Sequence, residues 1–351
     1  MEKVRIALIG AGSIGHYHAR AYKADNRVEL VAVCDLNEAR ARDFADKYNI
    51  PDIYTDYNVM LLRDDIDAVS VATWNNAHAP ASVAAFRAGK HVLCEKPLAM
   101  NAEEARQMLE EAEKANKLLM VGFVRRFGDN TAALKALVDA GTLGEIYSAK
   151  VGFVRRWGNP GGWFADKKRS GGGALIDLGV HILDLSRYLS GSPKPISAYA
   201  ATFSKLGMKP GIRGIDKYRT ADYDEYCDVE DGATALVRFD NGMVTFVETT
   251  WVENAREHLY VTLQGDKGGA EMEPELIIRE DRCGYLTDVR PVINLQGINM
   301  DTVFGREISH YIDCIQGKVD CICPGGDGLE IMKILDAIYK SAETGHEYII
   351  K

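Results

Sequence analysis

From Val4 to about Phe123, short apolar runs alternate with stretches of helical periodicity. Val4–Ile9, Leu30–Cys34, Ala68–Ala72, His91–Cys94 and Leu118–Gly122 read as strands, apolar enough to be covered on both faces. Between them Asn37–Lys47, Ala77–Ala88 and Asn101–Ala115 read as helices, with Asn37 and Asn101 at N-cap positions. This βα rhythm predicts an α/β Rossmann domain, a parallel doubly wound sheet, over residues 1–123.

Beyond residue 124 the strands lengthen: Ile146–Arg156, Ile196–Phe203, Ala233–Phe239, Met243–Trp251 and Glu257–Gln264. Asp240-Asn241-Gly242 predicts a hairpin turn between two of them. Residues 124–351 are therefore expected to form an α+β domain with a mostly antiparallel sheet, for substrate binding and oligomerisation. A late helix, Leu329–Ser341, is able to pack back on either domain, the N-terminal one included. Gly122–Gly128 and Gly152–Gly158 nearly repeat, each with an Arg pair read as lying at a strand end. Adjacent strand residues face opposite ways, so only one Arg of each pair is able to point into a shared cleft; coincidence between two strand ends is the alternative.

A length of 351 residues exceeds one compact core and agrees with two domains. The 51 acidic against 42 basic residues give a net charge of -9, which repels a polyanion and excludes nucleic acid as a partner. No apolar stretch has the length of a membrane span, and Met1-Glu2-Lys3 leads straight into a strand without a signal peptide, so a cytoplasmic location is expected. The seven cysteines are scattered and odd in number, against a disulfide framework. Cys314, Cys321 and Cys323 raise a metal site, but no clustered His or second Cys pair accompanies them, so they read as buried or idle thiols and no metal is expected.

Gly10-Ala11-Gly12-Ser13-Ile14-Gly15 follows an apolar strand and opens a helical pattern, the context that makes a GxGxxG informative. Gly10 permits the turn, Gly12 lets a pyrophosphate approach the backbone, Gly15 lets helix and sheet close up, and the helix start at Ser13 and Ile14 offers free N–H groups to the anion. Asp35 ends the second strand twenty positions after Gly15, where a carboxylate takes the adenosine ribose and repels a 2′-phosphate. NAD is expected rather than NADP, and Arg40 and Arg42 read as a solvated helix face.

Glu95-Lys96-Pro97 follows a strand at the carboxyl edge of the sheet, where ligands bind in open α/β folds. A lysine there, desolvated and beside a positively charged nicotinamide, suits proton exchange with a substrate hydroxyl. Ser170-Gly171-Gly172-Gly173 leads into a helix on which Asp177 and His181 share a face, with Asp184 a further neighbour. A carboxylate-held histidine is a proton-transfer group; the alternatives are a satisfied core histidine or a metal site, the latter unneeded for hydroxyl oxidation.

Together these residues resemble the Gfo/Idh/MocA family of glucose-fructose oxidoreductase and inositol dehydrogenase-like enzymes, over essentially the whole chain. The resemblance rests on Gly10–Gly15, Asp35, Thr73–His78, Gly89–Pro97 and the Asp177/His181 helix, and departs at Trp74, where the family usually has proline. It implies a large, open C-terminal sheet, a catalytic group of Lys96, Asp177 and His181, and hydride transfer from a carbinol carbon to nicotinamide C4. Lys96 and His181 share the proton work. Thr73, Asn75, His78, Glu95 and Lys96 would line the cofactor side, and Trp163, with Arg126 and Arg156, the substrate side. Cyclic sugars or polyols are the implied substrates, and a homodimer or homotetramer the implied assembly. Lys167-Lys168-Arg169 and the acidic run Asp222–Asp231 read as solvated loops, the latter alternatively as an interface edge.

Two other functions fit the same fold: a non-catalytic NAD-binding sensor or regulator, and an NAD-dependent glycoside hydrolase or lyase that recycles its cofactor.

Overall fold

The computed structural model describes residues 3–209, 212–214, 218–273, 275–293 and 299–351; Met1 and Glu2, part of the opening read as lacking a signal peptide, lie outside them. The chain divides into two compact units, residues 1–127 with 296–329 and residues 128–295 with 330–351. Among the described residues no helix is long and apolar enough to cross a membrane.

Among its described residues the first unit holds six strands, β1 (Val4–Ile9), β2 (Val28–Cys34), β3 (Asp52–Tyr54), β4 (Ala68–Val71), β5 (His91–Glu95) and β6 (Leu119–Gly122). They form one parallel sheet in the order β3-β2-β1-β4-β5-β6. The central strands are buried on both faces, as their unbroken apolar runs require. Asn37 and Asn101 cap their helices through bonds from the Arg40 and Glu104 N–H groups. The chain order reverses between β1 and β4, so ligand chemistry is expected at the carboxyl ends of these strands. A helix over Met300–Ile315, absent from the sequence reading, returns to this unit and packs on helix Ser13–Ala24.

The second unit holds β7 (Ile146–Val154), β8 (Pro195–Phe203), β9 (Gly232–Phe239), β10 (Val244–Thr250), β11 (His258–Gly265), β12 (Gly268–Met272), β13 (Ile277–Arg282), β14 (Tyr285–Val289) and β15 (Tyr348–Ile349). They form one open sheet, β14-β13-β12-β11-β7-β10-β9-β8-β15, antiparallel except for the parallel β7–β10 pair. The Asp240–Gly242 turn joins β9 to β10 as expected, with Gly242 at φ +85°. Burial alternates along β8 and β9, so one sheet face is packed and the other open. The late helix spans Gly325–Thr344; its residues up to Leu329 belong to the first unit and the rest to the second.

Candidate active site

Three loops at the carboxyl ends of neighbouring strands build the site in the first unit. After β1, Gly10 sits at φ +105°, and a Cβ there would stand 2.3 Å from the Ala72 carbonyl oxygen. A Cβ on Gly15 would stand 2.4 Å from the Gly10 carbonyl oxygen, so both glycines are needed for the close backbone approach. Gly12 differs: among the described residues nothing lies within 4 Å of its Cβ position, and it precedes helix Ser13–Ala24 without capping the first N–H groups through a side chain. Ser13 and Ile14 are exposed at this helix start. An open glycine over uncapped N–H groups fits a pyrophosphate.

Asp35 is held under this turn, its Oδ2 accepting from Ala11 N at 3.0 Å and its Oδ1 from Asn37 N at 2.9 Å. Arg40 leans on Asp35 at 3.6 Å and Arg42 pairs with Glu38 at 2.8 Å, so both arginines have carboxylate partners within their own segment.

After β4, Thr73 is half-buried, Trp74 takes the N-cap position and Asn75 begins helix Asn75–Arg87, buried. His78 is buried and joins two loops: its Nδ1 meets the Pro97 carbonyl at 2.7 Å and its Nε2 the Thr73 carbonyl at 3.2 Å. Burial pulls its pKa below the ordinary histidine value.

After β5, the Glu95 side chain turns back into the protein. Its Oε1 meets His18 Nε2 at 2.9 Å, its Oε2 accepts from Lys96 N at 3.2 Å, and Gly122 leaves it room, since a Cβ there would lie 3.0 Å from the carboxylate. Lys96 itself is half-buried, and the Lys96–Pro97 bond is cis.

Sequence reasoning missed the groups behind Glu95. Glu307, on helix Met300–Ile315, is fully buried, within 4.8 Å of ligand atoms of His18 and Glu95, and neither of its oxygens has a hydrogen-bond partner among the described residues. Burial first, and the Glu95 carboxylate second, push the Glu307 carboxyl well above the usual carboxylate range. Below the unfolded pKa, about 4.5, both states hold the proton; above it the unfolded chain releases the proton while the folded chain keeps it, so stability falls as pH rises. Glu307→Gln, which keeps the neutral shape, is expected to raise stability over wild type by a margin that widens toward pH 8, at most on the order of 1 kcal/mol per pH unit. Urea unfolding across pH 5 to 8 checks this, and a margin that does not grow with pH contradicts a neutral Glu307.

In the second unit the glycine loop is organised by Glu230, whose carboxylate accepts from Gly173 N at 2.8 Å, Leu175 N at 3.0 Å and the Tyr339 hydroxyl at 2.9 Å. Burial raises its pKa. Asp231, likewise buried, accepts from the N–H groups of Lys205, Leu206 and Gly207. The acidic run therefore ends in two interior carboxylates that order loops, which corrects the solvated reading for that end; Asp222 and Asp224–Tyr226 are exposed.

Asp177 lies in a π-helical turn, Leu175–Gly179, that leads into helix Val180–Leu189. The expected uniform helix is thus widened here, a feature that recurs at functional sites. Asp177 is buried and its Oδ2 accepts from the indole N–H of fully buried Trp251 at 2.9 Å. His181 is half-buried and Asp184 buried on the following helix. Arg155, not Arg156, is the member of its pair in the field of Asp177; it lies over the Phe153 and Trp157 rings, and burial outweighs Asp177 and Glu257 to lower its pKa. Arg156 is exposed. Trp163 stacks on Phe164 with ring centroids 3.9 Å apart. Arg169 pairs with Asp166 and Asp222, and Lys167 and Lys168 are exposed.

Arg126 belongs to the first unit, in a 3-10 turn over Val124–Phe127 rather than at a strand end, so strand alternation does not govern its pair. Its buried guanidinium bonds Asp327 at 2.9 Å and the Ile322 carbonyl. Of the catalytic candidates, Lys96 stands in the first unit and Asp177 and His181 in the second.

Comparison with known proteins identifies the family. Residues 4–123 match the oxidoreductase family model with an NAD-binding Rossmann fold, and residues 131–271 match the GFO/IDH/MocA C-terminal domain. The chain belongs to the GFO/IDH/MocA oxidoreductase family and is an NAD-binding oxidoreductase. It is 37% identical over 346 residues to D-glucoside 3-dehydrogenase of Escherichia coli, covering 97% of this chain and 96% of that one. It is 30% identical to levoglucosan dehydrogenase of Pseudarthrobacter phenanthrenivorans, covering 82% and 80%. A solved levoglucosan dehydrogenase in complex with NADH and levoglucosan superposes with a TM-score of 0.86 at 25% identity, over 99% of this chain and 100% of that one.

Proposed function

We propose that the protein is a dehydrogenase that oxidises a secondary hydroxyl of a cyclic sugar or polyol with NAD⁺, D-glucosides being the first class to test. The observation that carries this reading is the glycine turn and Asp35 in the same sheet edge as the Glu95-Lys96-Pro97 turn. Full-length likeness to a D-glucoside 3-dehydrogenase supports the substrate class.

In this reading Gly10, Gly12, Ser13, Ile14 and Gly15 receive the pyrophosphate and Asp35 the ribose hydroxyls. Thr73, Asn75 and Lys96 serve the cofactor side. His78 and Glu95, turned to Pro97 and His18, hold the loops that carry those residues in place. When bound, NAD⁺ supplies a nicotinamide ring that takes up hydride at C4. Lys96 and His181 share removal of the hydroxyl proton, and Asp177, fixed by Trp251, orients the substrate. Trp163 offers an aromatic face to a sugar ring, and Arg156 a donor at its edge. Arg126, already bonded to Asp327, acts on the substrate side by holding its own loop. The open face of the second sheet, with Tyr199, Leu236 and Phe246 in opposed positions across β8, β9 and β10, supports a homodimer or homotetramer.

The test is NADH accumulation from NAD⁺, and separately NADPH from NADP⁺, across D-glucosides, inositols, aldoses and sugar phosphates. Turnover of a glucoside or another cyclic sugar with NAD⁺ is expected. Cofactor binding without turnover on any member points to a regulator, and sugar conversion without NADH release to a recycling hydrolase or lyase.

A further inference from the structure

The sequence places His310 four residues before Cys314, and the fold brings Cys321 back to both. His310 and Cys314 lie one turn apart on helix Met300–Ile315, with Cys314 Sγ 3.3 Å from His310 Nε2, and the loop that follows returns Cys321 to the same place. One nitrogen and two sulfurs thus lie within 4.8 Å of one another, all on half-buried residues of the first unit. We propose that His310, Cys314 and Cys321 form a binding site for a thiophilic divalent cation of the zinc class.

The dimensions suit that ion. Bonds of about 2.3 Å to sulfur and about 2.0 Å to nitrogen in a tetrahedron set ligand separations of roughly 3.5 to 3.8 Å, so the three atoms are near the spacing a metal needs, and closing on one also requires the Ile322 N–H to leave His310 Nε2. The histidine is in the form a metal needs: Ile322 N–H donates to Nε2 at 3.0 Å, so that nitrogen carries its lone pair. The metal takes the place of that N–H. The thiols bind as thiolates, releasing their protons to solvent. Soft sulfur donors select zinc-like ions over magnesium or calcium.

The site sits where a clamp has an effect. Its loop runs beside the edge strand β6, with the Cys323 backbone carbonyl accepting from Val121 N at 2.9 Å, Pro324 bridging to Met120 and Arg126 bonding the Ile322 carbonyl. A metal here ties the returning helix to the loop that covers the sheet edge, far along the chain from the glycine turn. This role is structural and independent of the sugar reaction.

Cobalt is the probe. Reduced, metal-stripped full-length protein titrated with Co²⁺ is expected to develop thiolate-to-cobalt charge-transfer absorption that saturates at one ion per chain and disappears on addition of Zn²⁺. Cys314→Ser and Cys321→Ser are each expected to abolish the band and to weaken Zn²⁺ binding by about tenfold or more, since even outer-shell changes cost that much. Cys283→Ser, exposed and outside the cluster, keeps both. Absence of the band in the wild-type protein overturns the site, as does a band that survives in both cluster variants; the wild-type titration decides even if a variant fails to fold.

Discussion

Exchange of Lys96 for alanine is expected to lower kcat for sugar oxidation by about 10²- to 10⁴-fold, the span of a lost general acid–base group, while NADH affinity changes no more than a few-fold. The asymmetry follows from how the loop is held. The backbone of Lys96 is tied through its N–H to Glu95, and Glu95 is tied to His18, so removing the lysine side chain leaves the turn and its cis bond to Pro97 in place. The loss then falls on the proton-transfer step and not on assembly of the cofactor site. Steady-state kinetics paired with a fluorescence titration of NADH separates the two. A Lys96→Ala enzyme within tenfold of wild type would leave the proton work to His181 alone.

Gly12→Ala is expected to leave the fold intact and weaken NADH binding by about ten- to a hundredfold, the cost of forcing a methyl group into a close contact. Gly12 has φ −82° and ψ −170°, which alanine adopts readily, and its Cβ position is open to 4 Å. Among the described residues the methyl meets nothing; the cost appears only when the pyrophosphate approaches the backbone. Gly10→Ala is the contrast, because a Cβ 2.3 Å from a carbonyl at φ +105° strains the protein itself. Thermal unfolding and NADH titration on both variants are expected to show normal stability with poor binding for Gly12→Ala, and poor stability for Gly10→Ala. Equal destabilisation of both would mean that the Gly12 position is not open.

These positions were legible because local sequence dictates them. The glycine turn, Asp35 and the Glu95–Pro97 turn follow from strand, turn and helix signals a few residues apart, and the five strands expected in the first domain fall within two residues of their limits, whereas the three-residue β3 was not foreseen. What stayed hidden joins distant segments. His18 meets Glu95 across 77 residues, Trp251 meets Asp177 across 74, and Glu230 meets Gly173 across 57. Neither period nor motif encodes such pairs. Glu230 and Asp231 looked solvated because an acidic run is ordinarily a wet face, yet their oxygens answer backbone N–H groups inside the fold.

Helix Met300–Ile315 shows a different kind of miss. Val303, Phe304, Ile308, Tyr311 and Ile312 make a helical stripe, but Glu307 stands within it and breaks the apolar pattern. Without that helix, His310 and Cys314 have no reason to be neighbours, and the cysteines read as idle. Strands β12 and β13 were missed because their residues are largely polar or glycine, and β14 because Tyr285-Leu286-Thr287-Asp288-Val289 does not alternate apolar with polar to mark a packed face.

The central claim is that this chain moves hydride from a sugar carbon to NAD⁺. The most direct measurement is mass spectrometry of the cofactor after incubation of the enzyme with NAD⁺ and a glucoside deuterated at its ring carbinol carbons. The account predicts reduced cofactor carrying one deuterium. A cofactor pool that stays oxidised, or becomes reduced without label, while the protein binds NAD⁺ and the sugar, would contradict it.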